Sequence, residues 1–155
     1  MDSKKLGHGD ESGFLFAQEM LAGDPTAAIN FDRIQKGKSG FIIFEYLLCE
    51  ETQTVTPFTS HPNRYFHKNK QKFISLWEIA QKLEAKLYLV NYAKLGTLHQ
   101  DEIRFMEVIK VTDSGVQTKN YKFNRAGFSN FFRQLNRACL NQSTEPDPAN
   151  FGKME

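Results

Sequence analysis

The chain has 155 residues, 40% of them hydrophobic, and a formal net charge of +2. That length supports one domain with a core of its own, and the near balance of charge excludes a globally basic nucleic-acid binder, so any basic surface must be local. No apolar run reaches the roughly 18 residues a membrane span needs, and the N-terminal stretch has no signal-peptide core, so a cytoplasmic protein away from membranes is expected.

Met1 to Asp10 is polar and reads as a loose tail. From Glu11 to Ala22, residues Phe14, Leu15, Gln18, Leu21 and Ala22 recur at helical spacing and predict a short amphipathic helix, stopped by Gly23-Asp24-Pro25. Glu19 lies beside that apolar stripe, where a solvated carboxylate is the plain reading. Thr26 to Ile34 predicts a strand, Lys36 to Gly40 a turn, and Gly40 to Cys49 a second strand, together an antiparallel hairpin.

The second strand is the anomaly. Its two alternating faces carry Phe41, Ile43, Glu45, Leu47 and Ile42, Phe44, Tyr46, Leu48, which predicts burial on both sides. Glu45 then stands among Ile and Leu, where a carboxylate is costly unless paired, protonated or bound to a metal. If Gly37 to Gly40 form a four-residue loop, Lys36 pairs with Phe41 and Asp32 falls opposite Glu45. Directly opposed side chains have Cβ atoms ~4.5–5.5 Å apart. Two carboxylates at that distance repel, and a hard divalent cation is one remedy. A register shift of one residue would turn Asp32 to the other face.

Glu50 to Thr59 is polar and reads as a loop or strand extension. Ser60 to Lys72 gathers His61, Arg64, His67, Lys68, Lys70 and Lys72 around Tyr65 and Phe66. Phe73, Leu76, Trp77, Ala80 and Leu83 mark the buried face of a helix running to about Ala85. Cations at a helix N-terminus oppose its dipole, and a bound phosphate would relieve them; a solvated basic end is the alternative. Lys86 to Tyr92 predicts a strand parallel to the Glu45 strand through a right-handed crossover, with Asn91 a satisfied polar residue.

Glu102 to Val111 and Val116 to Phe123 predict a second hairpin turned by Asp113-Ser114-Gly115, with Glu107 at an edge in water. Asn124 can cap a helix from Arg125 to Leu140. Its apolar face is Phe128, Phe131, Phe132, Leu135, Ala138 and Cys139; Asn130, Arg133 and Arg137 form a solvated stripe. Asn141 to Glu155 is polar and aperiodic and reads as a disordered tail. The 14 phenylalanines predict a core filled with rings, and Cys49 and Cys139 read as buried free thiols of a reducing compartment. No zinc-ligand spacing, Walker loop or dinucleotide fingerprint is present.

Helix with Glu19, strand with Asp32, strand with Glu45, crossover helix, strand: this order resembles the core of the PD-(D/E)XK, restriction-endonuclease-like nuclease family. The resemblance spans roughly Glu11 to Tyr92. It implies an α/β (α+β) single domain over residues 11–140, a mixed sheet flanked by helices, and flexible tails at 1–10 and 141–155. It further implies Mg²⁺ or Mn²⁺ held by Glu19, Asp32 and Glu45, and hydrolysis of nucleic acid, DNA before RNA. The family's lysine two residues after the Glu is Leu47 here, and Phe31 stands where the family has proline. Lys72 on the crossover helix is the replacement the resemblance suggests. His61, Arg64, His67, Lys68 and Lys70 would then grip the phosphate backbone. The alternatives are a non-catalytic nucleic-acid-binding or protein-interaction module of the same fold, with a homodimer or protein partner.

Overall fold

The computed structural model describes residues 11–155, so the expected tail over 1–10 lies outside the described residues. The chain divides into two compact units, the first ending at Asn30 and the second covering Phe31–Glu155.

In the first unit, α1 spans Ser12–Leu21 and has no buried residue. Ala22, at φ 50°, ends it by donating its N–H back to the carbonyls of Gln18 and Glu19. Phe14, Leu15, Phe16 and Met20 are exposed.

The second unit is a six-stranded mixed sheet in the order β1 (Arg33–Gly37), β2 (Gly40–Leu48), β3 (Lys86–Tyr92), β4 (Ile103–Thr112), β5 (Gly115–Phe123) and β6 (Lys153–Met154). It is flanked by α2 (Phe66–Lys82) and α3 (Arg125–Asn141). The β2–β3 pair is parallel, as a helical crossover requires, and all other pairs are antiparallel. Alternation along the central strands feeds two cores. Phe44, Tyr88, Val90, Phe105, Tyr121 and Phe123 pack with Phe128, Phe131 and Leu135 of α3. Ile43, Leu87, Leu89, Met106 and Val108 pack with Phe66, Phe73, Leu76 and Ala80 of α2. Both cysteines are buried and free, and Asn124 caps α3 by accepting from the Gly127 N–H at 2.7 Å.

Four expectations are corrected. The strand expected over Thr26–Ile34 begins only at Arg33. The Asp32 side chain takes the Tyr46 N–H, at 2.8 Å, that a continuing strand would have offered a carbonyl, so local side-chain bonding ends the ladder. The crossover helix ends at Lys82 rather than near Ala85, leaving Leu83 42% exposed, and it starts at Phe66, so His67, Lys68, Lys70 and Lys72 lie within its first two turns while His61 and Arg64 precede it. Glu107 is not at an edge: β4 is an inner strand, and Glu107 is half-buried between Tyr88 and Lys119.

The C-terminal tail is the largest correction. Beyond α3 the chain forms a short 3₁₀ turn at Pro148–Asn150 and pairs β6 with β5. The Phe151 ring lies 5.8 Å from that of Phe131, and Glu155 meets Arg104 at 2.9 Å. A few anchors hold a segment whose composition alone looks unfoldable, so the sheet unit runs from Phe31 to Glu155 rather than over 11–140. Among the described residues no helix is long and apolar enough to cross a membrane.

Candidate functional site

The hairpin register decides where the two acids go. Gly37 pairs with Gly40 across a Lys38-Ser39 turn, shorter than the expected four-residue loop, yet Lys36 still meets Phe41 and Arg33 meets Phe44. One step further, Asp32 stands opposite Glu45. Its N–H donates to the Phe44 carbonyl at 3.2 Å, and its Oδ2 accepts from Tyr46 N–H. Asp32 is thereby pinned just ahead of β1, with its carboxylate close enough to the Glu45 carboxyl to raise that group's pKa. It is exposed, whereas Glu45 is 5% exposed.

The third group comes from α2. Asn69 interrupts that helix with φ −123° and ψ 17°, and its side-chain amide donates to the Tyr65 carbonyl at 3.2 Å. Regular helix resumes beyond it, and Lys72 Nζ reaches Glu45 Oε1 at 2.7 Å. Glu45 Oε2 is buried without a hydrogen-bond partner among the described residues. Burial pushes the Glu45 carboxyl up, Lys72 pulls it back, and the nearby Asp32 carboxylate pushes it up again; the balance is a raised value. A buried carboxylate with one oxygen on an amine and a second carboxylate beside it can receive a cation or a proton.

Tyr65 belongs to this neighbourhood, although in the sequence it is only an aromatic among cations. Its ring packs against Phe73 at 6.1 Å. Burial pushes its phenol up to about 12, and the charge of Glu45 adds to the shift. No spacing rule would have found it.

The basic segment divides by role. Arg64, His67 and Lys68 are exposed; Arg64 Nη1 donates to Ser60 Oγ at 3.2 Å. Lys70 is drawn toward Asp113 at the β4–β5 turn, 3.6 Å away. His61 is not a free backbone-gripping residue. Its Nδ1 accepts from the Asn63 N–H, capping the 3₁₀ turn Pro62–Arg64. That leaves Nε2–H to donate to Thr118 Oγ1 at 2.8 Å, and Thr118 donates on to Asn120 Oδ1. Both ring nitrogens are spent on the fold.

Burial, aided by the Arg104 charge, lowers the His61 pKa from its ordinary 6.5. Between the folded value and 6.5 the unfolded chain therefore binds more protons, so stability rises with pH across that window. The contribution of neutral His61 is intact above 6.5 and is lost as the pH falls through the folded value. His61→Asn is expected to flatten this part of the curve, read as urea midpoints from about pH 5 to 8. A parallel decline in wild type and variant would assign the pH dependence to other groups.

The structure thus brings Asp32, Glu45 and Lys72 together. Glu19, the expected third metal ligand, lies exposed on α1 in the other unit. Among the described residues no group of three or more His, Cys, Asp or Glu is gathered as for one ion. Comparison with family profiles, curated proteins and solved structures gives no match. What stands is therefore the fold class, an α+β sheet domain, and the site's own geometry.

Proposed function

We propose that this chain is a divalent-metal-dependent nuclease that hydrolyses phosphodiester bonds of nucleic acid, DNA before RNA, in the cytoplasm, on a restriction-endonuclease-like core. One observation carries the reading: a buried Glu45, with one oxygen on Lys72, lies beside the carboxylate of Asp32, which stands just ahead of the neighbouring strand. The donor set fits Mg²⁺ or Mn²⁺, since such ions take one or two carboxylates and complete their shell with water and substrate phosphate. Asp32 and Glu45 would hold the ion, with water and substrate phosphate completing its shell. When bound, the ion supplies Lewis acidity and charge neutralisation at the scissile phosphate.

The protein's own groups do the rest. The Lys72 amine, already beside Glu45, can neutralise charge developing on the phosphate or pass a proton to it. Lys72 stands on α2, so the missing strand lysine at Leu47 is supplied from the crossover helix. Arg64, His67, Lys68 and Lys70 hold the backbone, which makes binding fall with added salt.

The same contact favours a second reading. Lys72 already neutralises Glu45, as it would in a non-catalytic nucleic-acid-binding or protein-interaction module of this fold. Incubation with single- and double-stranded DNA and RNA in Mg²⁺ or Mn²⁺, against EDTA, separates the two. The nuclease reading expects cleavage that EDTA abolishes; salt-sensitive binding without cleavage in either metal would leave the module.

A further inference from the structure

A second cavity, of about 370 Å³, opens on the α3 side of the sheet at the C-terminal end of the parallel β2–β3 pair. Open α/β sheets place ligands beyond the carboxyl ends of their parallel strands. Rings of Tyr46, Tyr92, Phe128 and Phe132 line it, with two polar side chains, Arg125 and Ser129. Its size falls within the range of small-molecule sites, and its lining is their usual composition, an apolar body with few polar groups.

Arg125 says what kind of ligand. Its Nη1 donates to the carbonyls of Ala93 and Gln100, at 3.2 and 2.7 Å, and its Nη2 donates to Ala93 at 3.3 Å. A guanidinium has five N–H groups in a planar fork. Three are spent, and among the described residues the Nε–H and the second Nη2–H have no acceptor. Those two are the parallel pair that matches the two oxygens of a carboxylate. The carbonyl ties hold the guanidinium in place beforehand, so little entropy is lost when that edge is filled. Arg125 also opens α3, whose first turn holds no acidic residue, so the helix dipole reinforces the guanidinium's field.

We propose that this cavity binds a small aromatic carboxylate, its ring among Tyr46, Tyr92, Phe128 and Phe132 and its carboxylate on the free edge of Arg125. A guanine base also offers two adjacent acceptors. It adds several donors of its own, however, and the lining has no carboxylate or amide side chain to take them. The site is independent of the nuclease reading: it lies on the other side of the sheet from Glu45 and uses none of its acids.

The test is calorimetric titration of the full chain with 2-naphthoate, 2-naphthamide and guanosine. Naphthoate is expected to bind, and the amide, which keeps the ring but loses the charge, to bind at least about tenfold more weakly. Arg125→Gln should lose the preference for the acid. Because that change also cuts ties to Ala93 and Gln100, Ser129→Trp provides the second variant. Residue 129 is exposed on α3, so a large ring there fills the cavity without disturbing the core, and naphthoate binding should vanish. Absence of naphthoate binding to wild type, binding unchanged in Ser129→Trp, or tighter binding of guanosine than of naphthoate would each overturn the proposal.

Discussion

Glu45→Ala is expected to abolish Mg²⁺-dependent cleavage, a loss of at least about a hundredfold, while salt-sensitive nucleic-acid binding survives. The split follows from where the charges are. Glu45 is buried between Lys72 and Asp32, whereas Arg64, His67 and Lys68 are exposed just before and in the first turn of α2. Removing the carboxyl takes away the proposed ion ligand and leaves in place the exposed cations proposed to hold the backbone. The fold should tolerate it, because burial already disfavours the charged form of this group, and Lys72, 41% exposed, can turn its amine to water. Lys72→Met should lower turnover similarly yet retain metal binding. Gel-based cleavage and fluorescence-anisotropy binding on the same preparations give both readouts. Cleavage that persists in Glu45→Ala would remove this carboxylate from the chemistry.

Phe105→Ala is expected to cost about 3–5 kcal/mol of folding stability, a large share of the roughly 5–15 kcal/mol typical of a domain. Phe105 is fully buried on β4. Its ring lies 4.5 Å from Tyr88, 5.2 Å from Phe131 and 5.9 Å from Phe128, with Tyr121 and Phe123 only slightly further. Removing it opens a cavity that the rings of two strands and α3 must all move to close. Leu98→Ala is the control: that side chain is 82% exposed, and its loss should stay within about 0.5 kcal/mol. Urea midpoints compare the two, and equal losses would contradict the placing of the core at Phe105.

Periodicity made the central elements legible. The run from Gly40 to Cys49 announced a buried strand, the Phe73–Leu76–Ala80 stripe a covering helix, and Phe128, Phe131 and Leu135 the apolar face of α3. The Asp32–Glu45 juxtaposition was legible too, because counting back from the turn fixes a hairpin's register, and the shorter loop left that register unchanged. Lys72 was reachable from its place on the helix beside Phe73.

Features that depend on tertiary anchors were not legible. The C-terminal segment has no period, and what orders it is one ring on Phe131, ion pairs at Arg104 and Lys86 and a two-residue ladder. His61 looked like one cation among several, but its two nitrogens bond a turn and a strand that only the fold brings near. The free edge of Arg125 exists only because two distant carbonyls occupy the other edge.

The proposed ion site can be tested without nucleic acid. In a thermal melt of the full chain titrated with Mn²⁺, a site formed by Asp32 and Glu45 predicts a melting temperature that climbs with metal concentration. The climb should be absent or much reduced in Asp32→Asn and in Glu45→Gln. A wild-type melting temperature indifferent to Mn²⁺, or a rise of equal size in both variants, would contradict it.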